Sequence, residues 1–375
     1  MRHFKRNNNS LKIGLSLFAS LILIFIGFWL NVFIVKPDYS FLIFAILKTV
    51  CLSLSIVSLL LLSFFIYKST SNKTINNLSI SFVSILSFFL IFEIIFSFYT
   101  PSTNVFTDLS NQIWIKRYAQ EKNSLGYRDE EPVDQSGKKN ILVIGDSFVA
   151  GHGVKYDEMF VNILKNELTD NYNLFNLGVS GSHTDREFDS LLTYPIKPDI
   201  IVLCYYHNDI ESAMIEHNFS PKIKNPKDKL SNISKFFVDN SLLLNFLFSL
   251  NAKKSISSQF MESEQNDLTA YLHDNLWAYQ TNSLDKFYNY SIENNTELII
   301  MFFPGLGEGI VFTNELAGKK VEQYCNERDI EFINIYSDIK NIPLERRVAN
   351  SLDHHPSAEV NKVIADLLEK AIKKL

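Results

Sequence analysis

The chain has 375 residues, room for one large domain or two smaller ones, and a formal net charge of −5. That charge balance argues against nucleic acid as the main partner. The three cysteines, Cys51, Cys204 and Cys325, are too few for a disulfide framework and are expected as buried thiols.

Residues 13–99 are dominated by Leu, Ile, Phe, Ser and Val, whereas the remainder has the mixture of a soluble protein. The stretch 13–35 holds no charge and is long enough to cross a bilayer, which takes about 20 residues. A cleaved signal peptide would have an apolar region of only about 7–15 residues, ending in small ones. This run continues into Asn31-Val-Phe-Ile-Val35 without such a site, so an anchor is predicted. Residues 41–67 and 78–99 predict two more spans, each holding one charge, Lys48 or Glu93. Arg2, Lys5, Arg6 and Lys12 precede the first span, and Lys68 and Lys73 follow the second. This bias places the N-terminus in the cytoplasm and everything beyond about residue 100 on the outer side. Lys48 and Glu93 then lie at a similar depth, roughly 10 Å below the outer surface at about 1.5 Å per residue. Either they pair, or each snorkels separately to the outer headgroups.

Residues 100–139 read as a polar connector. Short apolar runs then alternate with helical stretches. Strands are predicted at 140–145, 173–177, 199–205, 297–303 and 331–336, and helices at 157–169, 184–194, 267–293, 313–328 and 357–373. Apolar runs between helices indicate strands buried on both faces, and the alternation implies a parallel α/β sheet with right-handed crossovers. Residues 211–266, rich in Lys, Asn and Ser, interrupt this rhythm as a mostly helical insertion. Its apolar patch at 242–250 is expected to pack on the domain; contact with the membrane or with an acyl group are the alternatives. The sequon Asn294-Asn-Thr296 carries little weight in so Asn-rich a chain.

Ligands of an open parallel sheet bind beyond the carboxyl ends of its strands. The polar residues fall there. Gly145-Asp146-Ser147 follows the first strand, Gly178-Val-Ser-Gly181 the second and His207-Asn208-Asp209 the third; Asp353-His354-His355-Pro356 precedes the last helix. A serine hydroxyl needs a base within hydrogen-bond reach, a histidine can supply it, and a carboxylate can hold the imidazole's tautomer. The backbone N–H groups of Ser147 and Gly181 and the Asn208 amide can serve as oxyanion donors. Each residue also has a plainer reading. Ser147 can cap a helix, Gly181 can permit a tight turn, and Asn208 can make a local side-chain turn. Asp353, His354 and His355 can be viewed as metal ligands, but no other ligand cluster is visible, and no metal is expected.

These blocks resemble those of the SGNH/GDSL hydrolase family: Gly145-Asp146-Ser147, Asn176-Leu-Gly-Val-Ser-Gly181, Asn208-Asp209 and Asp353…His355-Pro356. Asn123-Ser-Leu-Gly-Tyr-Arg-Asp129 is similar to a stretch ahead of the Gly-Asp-Ser block in membrane-anchored members. The similarity spans about 123–375, without the insertion. It implies a three-layer α/β/α sandwich with a flavodoxin-like five-stranded parallel sheet of order 2-1-3-4-5. It also implies Ser147 as nucleophile, His355 as base with Asp353 as its acid, and an oxyanion hole of Ser147, Gly181 and Asn208. No metal or organic cofactor is implied. Two departures stand out. One residue separates Asp353 from His355 where two are usual, which leaves His354 as a competing base. Tyr205-Tyr206-His207 occupies a segment where glycine is common. Tyr206, His207 and the connector's Arg128 are expected to touch substrate.

The expected protein is therefore a serine esterase anchored in the cytoplasmic membrane by three helices (1–100), with a connector (101–139) and an extracytoplasmic catalytic domain (140–375). Its expected substrate is an O-acyl, foremost O-acetyl, ester on a cell-envelope glycan. The alternatives are an O-acyltransferase working with a membrane partner, a lipid esterase, and a non-catalytic glycan-binding protein of the same fold.

Overall fold

A computed structural model describes residues 2–31, 41–98, 108–118, 122–135, 137–217, 226–351 and 353–375. The ends of two expected spans, residues 32–35 and 99, lie outside the described residues, as do residues 100–107. The chain forms two compact units. One comprises residues 1–101, 106–117 and 226–252, and the other 102–105, 118–225 and 253–375. The insertion is thus divided, and its apolar part belongs with the N-terminal helices.

In the first unit, helices α1 (Arg2–Trp29), α2 (Phe41–Ser69) and α3 (Lys73–Phe98) are each long and apolar enough to cross a membrane. The third begins five residues before the expected 78, because the Asn72 side chain accepts the Thr74 N–H at 2.9 Å and caps the polar first turn. Leu52, Leu59, Val83 and Leu90 fill the interior among α1, α2 and α3. Phe18, Phe25, Ile85 and Phe88 stay exposed, as suits a helix bundle solvated by hydrocarbon. Cys51 is only half-buried, contrary to expectation, because it lies at the edge of α2's packed face.

Lys48 and Glu93 are both fully buried, with Nζ 2.8 Å from Oε1. The structure therefore favours pairing over separate snorkelling. Removing one partner strands the other in a low-dielectric interior, which typically costs about 3–5 kcal/mol. Lys48→Leu and Glu93→Leu are each expected to lower the thermal midpoint of detergent-solubilised protein. The double variant is expected to lose less than the sum of the two; additive losses would show that the residues act separately.

The second unit holds five parallel strands: β1 (Lys139–Gly145), β2 (Tyr172–Gly178), β3 (Ile200–Tyr206), β4 (Glu297–Phe303) and β5 (Glu331–Asn334). Their order is β2-β1-β3-β4-β5. Strand alternation divides the core into two layers. Leu142, Ile144, Leu203, Ile300 and Phe302 pack against Leu191, Phe287 and Val321 of the helices on one face. Ile141, Val143, Val202, Ile299 and Met301 pack against Leu164, Ile364 and Leu368 of the helices on the other. This is a three-layer α/β/α sandwich. Cys204 and Cys325 are buried in it.

Three details differ from expectation. The helix expected at 267–293 is two helices, Leu242–Ala270 and Asp274–Asn294, separated by a turn at Tyr271–His273. Strand β5 stops at Asn334, whose Oδ1 accepts the Tyr336 N–H at 3.0 Å and turns the chain into a short helix. A two-stranded antiparallel ribbon, β6 (Val348–Asn350) and β7 (Asp353–Pro356), precedes the last helix, Ala358–Ile372.

Candidate active site

Gly145 pairs with Cys204 at the carboxyl ends of β1 and β3, where the strand order reverses. Ser147 stands just beyond that end. A side chain on Gly178 would come within 2.2 Å of the Ala150 backbone nitrogen, so only glycine lets the loop after Ser147 pack on β2. Gly181 has φ +74°, a conformation that favours glycine, with open space where a Cβ would project.

The sequence allowed Ser147 to cap a helix starting directly after it. Instead the chain makes successive turns, with the Ala150 N–H on the Asp146 carbonyl and the His152 N–H on the Ser147 carbonyl, both at 3.0 Å. The helix itself starts at Phe160. The Ser147 side chain caps nothing. Its Oγ lies 2.7 Å from His355 Nε2 and a longer 3.4 Å from Asp146 Oδ2.

Strand β7 explains the short spacing of acid and base. Side chains two apart on a strand share a face, so Asp353 and His355 point together while His354 points away. His355 Nδ1 hydrogen-bonds Asp353 Oδ1, and the His355 backbone N–H donates to the same oxygen at 3.1 Å. His354 instead lies against Gly307. Asp353 is fully buried. Burial pulls the His355 pKa down, but the Asp353 charge, its hydrogen bond and Asp146 outweigh that, and the pKa stands above the ordinary value. With its Nδ1 proton directed at Asp353, His355 leaves Nε2 to accept the serine proton.

His152 escaped the sequence reading, although it sits in the loop that follows the serine. Its ring packs on His355 with centroids 4.5 Å apart, and its Nε2 lies 3.5 Å from Asp353 Oδ2. Burial and the neighbouring His355 take its pKa down to about 4 against the pull of Asp353. Among the described residues, His152, Asp353 and His355 are the one set near enough to share a metal ion. Both ring nitrogens of His355 are already engaged, so a cation there would compete with the serine–histidine contact.

The serine opens on a cleft of about 220 Å³ lined by Gly181, Tyr206, His207, Asn208, Glu211, Glu264 and Asp267 among others. The Asn208 Oδ1 is buried without a hydrogen-bond partner among the described residues, so no local side-chain turn consumes it. Tyr206 packs on Phe148 with tilted rings, centroids 4.3 Å apart. His207 is buried, which takes its pKa down to about 3, and its Nε2 lies 3.7 Å from Asp267 Oδ2. Among the described residues, Glu264 Oε1 and Asp267 Oδ1 also lack hydrogen-bond partners, and burial raises both pKa values. Both come from the helix Leu242–Ala270, Glu264 near the end of the expected insertion and Asp267 just beyond it, and no motif marks them.

Arg128 does not line this cleft, contrary to expectation. Its guanidinium donates to the backbone carbonyls of Ala150 at 3.3 Å and Val154 at 3.0 Å, and to that of Gly151. A buried guanidinium needs such acceptors, and the loop carrying His152 supplies them. The rest of the connector block is likewise structural. Asn123 Oδ1 accepts the Tyr127 N–H at 3.0 Å, and Asp129 Oδ2 accepts the Asn176 N–H of β2 at 2.8 Å.

No family model and no curated protein matches the chain. Solved structures do. A member of the lipolytic protein G-D-S-L family from Veillonella parvula is 14% identical over 63% of this chain and 99% of its own, with a TM-score of 0.38. The psychrotrophic esterase EstA from a Pseudoalteromonas species is 16% identical over 63% of this chain and 98% of its own, with a TM-score of 0.37. A carbohydrate acetylesterase family member from Sinorhizobium meliloti is 14% identical over 63% of this chain and 98% of its own, with a TM-score of 0.36.

Proposed function

We propose that the chain is a membrane-anchored serine esterase of the SGNH/GDSL type that removes a short O-acyl group, acetyl foremost, from a cell-envelope glycan. One observation carries the reading: Ser147 Oγ is 2.7 Å from His355 Nε2, and the other nitrogen of that ring is bonded to the buried Asp353. Ser147 Oγ attacks the ester carbonyl carbon while its proton passes to His355 Nε2. Gly181 and Ser147 backbone N–H groups and the Asn208 amide stabilise the oxyanion. The intermediate collapses, and the leaving sugar oxygen takes the proton from His355. Water then cleaves the acyl-serine by the same route in reverse.

The cleft lining supports the substrate class. Glu264, Asp267 and Asn208 present unpaired acceptor oxygens, which suit a ligand rich in hydroxyl donors better than an acyl chain. The small volume suits a short acyl group. The basic residues Arg2, Lys5, Arg6, Lys68 and Lys73 support a cytoplasmic N-terminus with catalysis on the outer side. Release of acetate from purified envelope polysaccharide tests the reading. Transfer of acetyl to an added sugar acceptor with no acetate released would turn it into a transferase. Asn208→Ala is expected to lower kcat about 10²–10³-fold, the scale of one oxyanion donor, with little change in KM. A KM effect alone would assign Asn208 to substrate binding.

A further inference from the structure

The insertion between β3 and β4 carries two helices, Asn232–Asn240 and a second starting at Leu242, bent by 114° to one another at Ser241. Residues 226–252 belong to the same compact unit as α1–α3. We propose that residues 232–252 are a re-entrant membrane element, its apex held inside the bilayer by Glu93 and its outer flank covered by lipid acyl chains.

The apex carries the argument. A break between two helices frees backbone donors and acceptors that water normally satisfies, and in hydrocarbon they need protein partners. Here they have them. Glu93 Oε1 accepts Lys48 Nζ at 2.8 Å and the Leu242 N–H at 2.9 Å. Glu93 Oε2 accepts Ser241 Oγ at 2.8 Å and the Leu243 N–H at 3.1 Å. Lys48 also donates to Asn31 Oδ1 at 2.8 Å, and the Asn31 amide donates to the Asn240 carbonyl at 2.6 Å. The Leu244 N–H finds Ser241 Oγ at 3.1 Å. The charge beside the apex, Asp239, is 2.5 Å from Lys227. The carboxylate also sits at a helix N-terminus, where the helix dipole favours negative charge.

Depth follows from the same bonds. Glu93 lies five residues before the end of α3, so it sits about 8 Å inside that end at about 1.5 Å per residue. The Leu242 nitrogen, bonded to it, is at that level. The flank is apolar: Ile233 is 72% exposed, Phe236 61%, Phe237 52% and Leu247 49%. Such a flank is continuous in chemistry with the exposed Phe and Leu of α1–α3, which hydrocarbon solvates.

The test uses the full chain in phosphatidylcholine vesicles, with Cys51→Ala and a nitroxide on Phe237→Cys or Leu247→Cys. Both replaced side chains are exposed, so the fold is little perturbed. Collisions with oxygen, which partitions into the bilayer, are expected to exceed those with a water-soluble nickel complex severalfold. A nitroxide on Val133→Cys, an exposed position of the other unit, provides the aqueous reference with the opposite ratio. Nickel collisions dominating at 237 and 247 would overturn the proposal. So would exclusion of both reagents with spin–spin broadening, which would mark a second copy of the chain on that flank. Glu93→Gln is expected to loosen the apex and raise the reactivity of Leu244→Cys toward an impermeant maleimide. If that variant fails to accumulate, the nitroxide measurement on the unaltered network still decides.

Discussion

Ser147→Ala is expected to lower turnover of an acetyl ester on the order of 10⁶-fold, as loss of the nucleophile does in a well-studied serine protease, with the fold left intact. The second half of that expectation follows from what the side chain touches. Its Oγ contacts His355 Nε2 at 2.7 Å and Asp146 at 3.4 Å, and it supports no backbone turn or cap. Its removal forfeits about one hydrogen bond, worth about 1 kcal/mol. A fall in activity with an unchanged thermal midpoint therefore isolates chemistry from stability. A fluorophosphonate should bond its phosphorus to Ser147 Oγ and expel fluoride from the wild type, and leave Ser147→Ala unlabelled. Wild-type hydrolysis by the variant would refute the mechanism, and probe labelling of another residue would move the nucleophile there.

The sheet was legible because β1, β3 and β4 are compact apolar runs, as burial on both faces demands. The positions of Ser147, Gly181 and Asn208 followed from strand ends alone. Other features depend on geometry that a linear pattern does not encode. The Asp353–His355 spacing looks too short until the segment is seen as strand β7, where alternation gives the two residues a common face. His152 lies near Asp353 on a loop whose carbonyls at 150, 151 and 154 are held by the Arg128 guanidinium. Glu264 and Asp267 enter the cleft from a helix whose first residues belong to the other unit, so neither composition nor periodicity marks them. The equal depths of Lys48 and Glu93 were readable from the span lengths. Their third partner, the helix start at Leu242, is some 150 residues away in sequence.

Asp353→Asn tests the other end of the relay and separates orientation from bulk. The carboxylate is fully buried and accepts both the His355 ring proton and the His355 backbone N–H. An asparagine keeps the volume but can turn its NH₂ toward Nδ1. The imidazole would then carry its proton on Nε2, facing Ser147 Oγ with a donor where an acceptor is needed. A drop in kcat of about 10⁴-fold is expected, as for the corresponding change in a serine protease. The pH profile supplies the sign. The base works only when neutral, so kcat/KM of the wild type should rise with pH through the His355 pKa. That pKa stands above the ordinary histidine value because Asp353 and Asp146 outweigh burial. Removing the Asp353 charge leaves burial opposed by less, so the inflection should move to lower pH even as the plateau falls. His152 cannot replace it as the base, because a pKa of about 4 makes its ring a weak acceptor for the serine proton. A variant with an unchanged inflection and near-normal rate would make Asp353 a packing residue and leave His355 oriented by its strand alone.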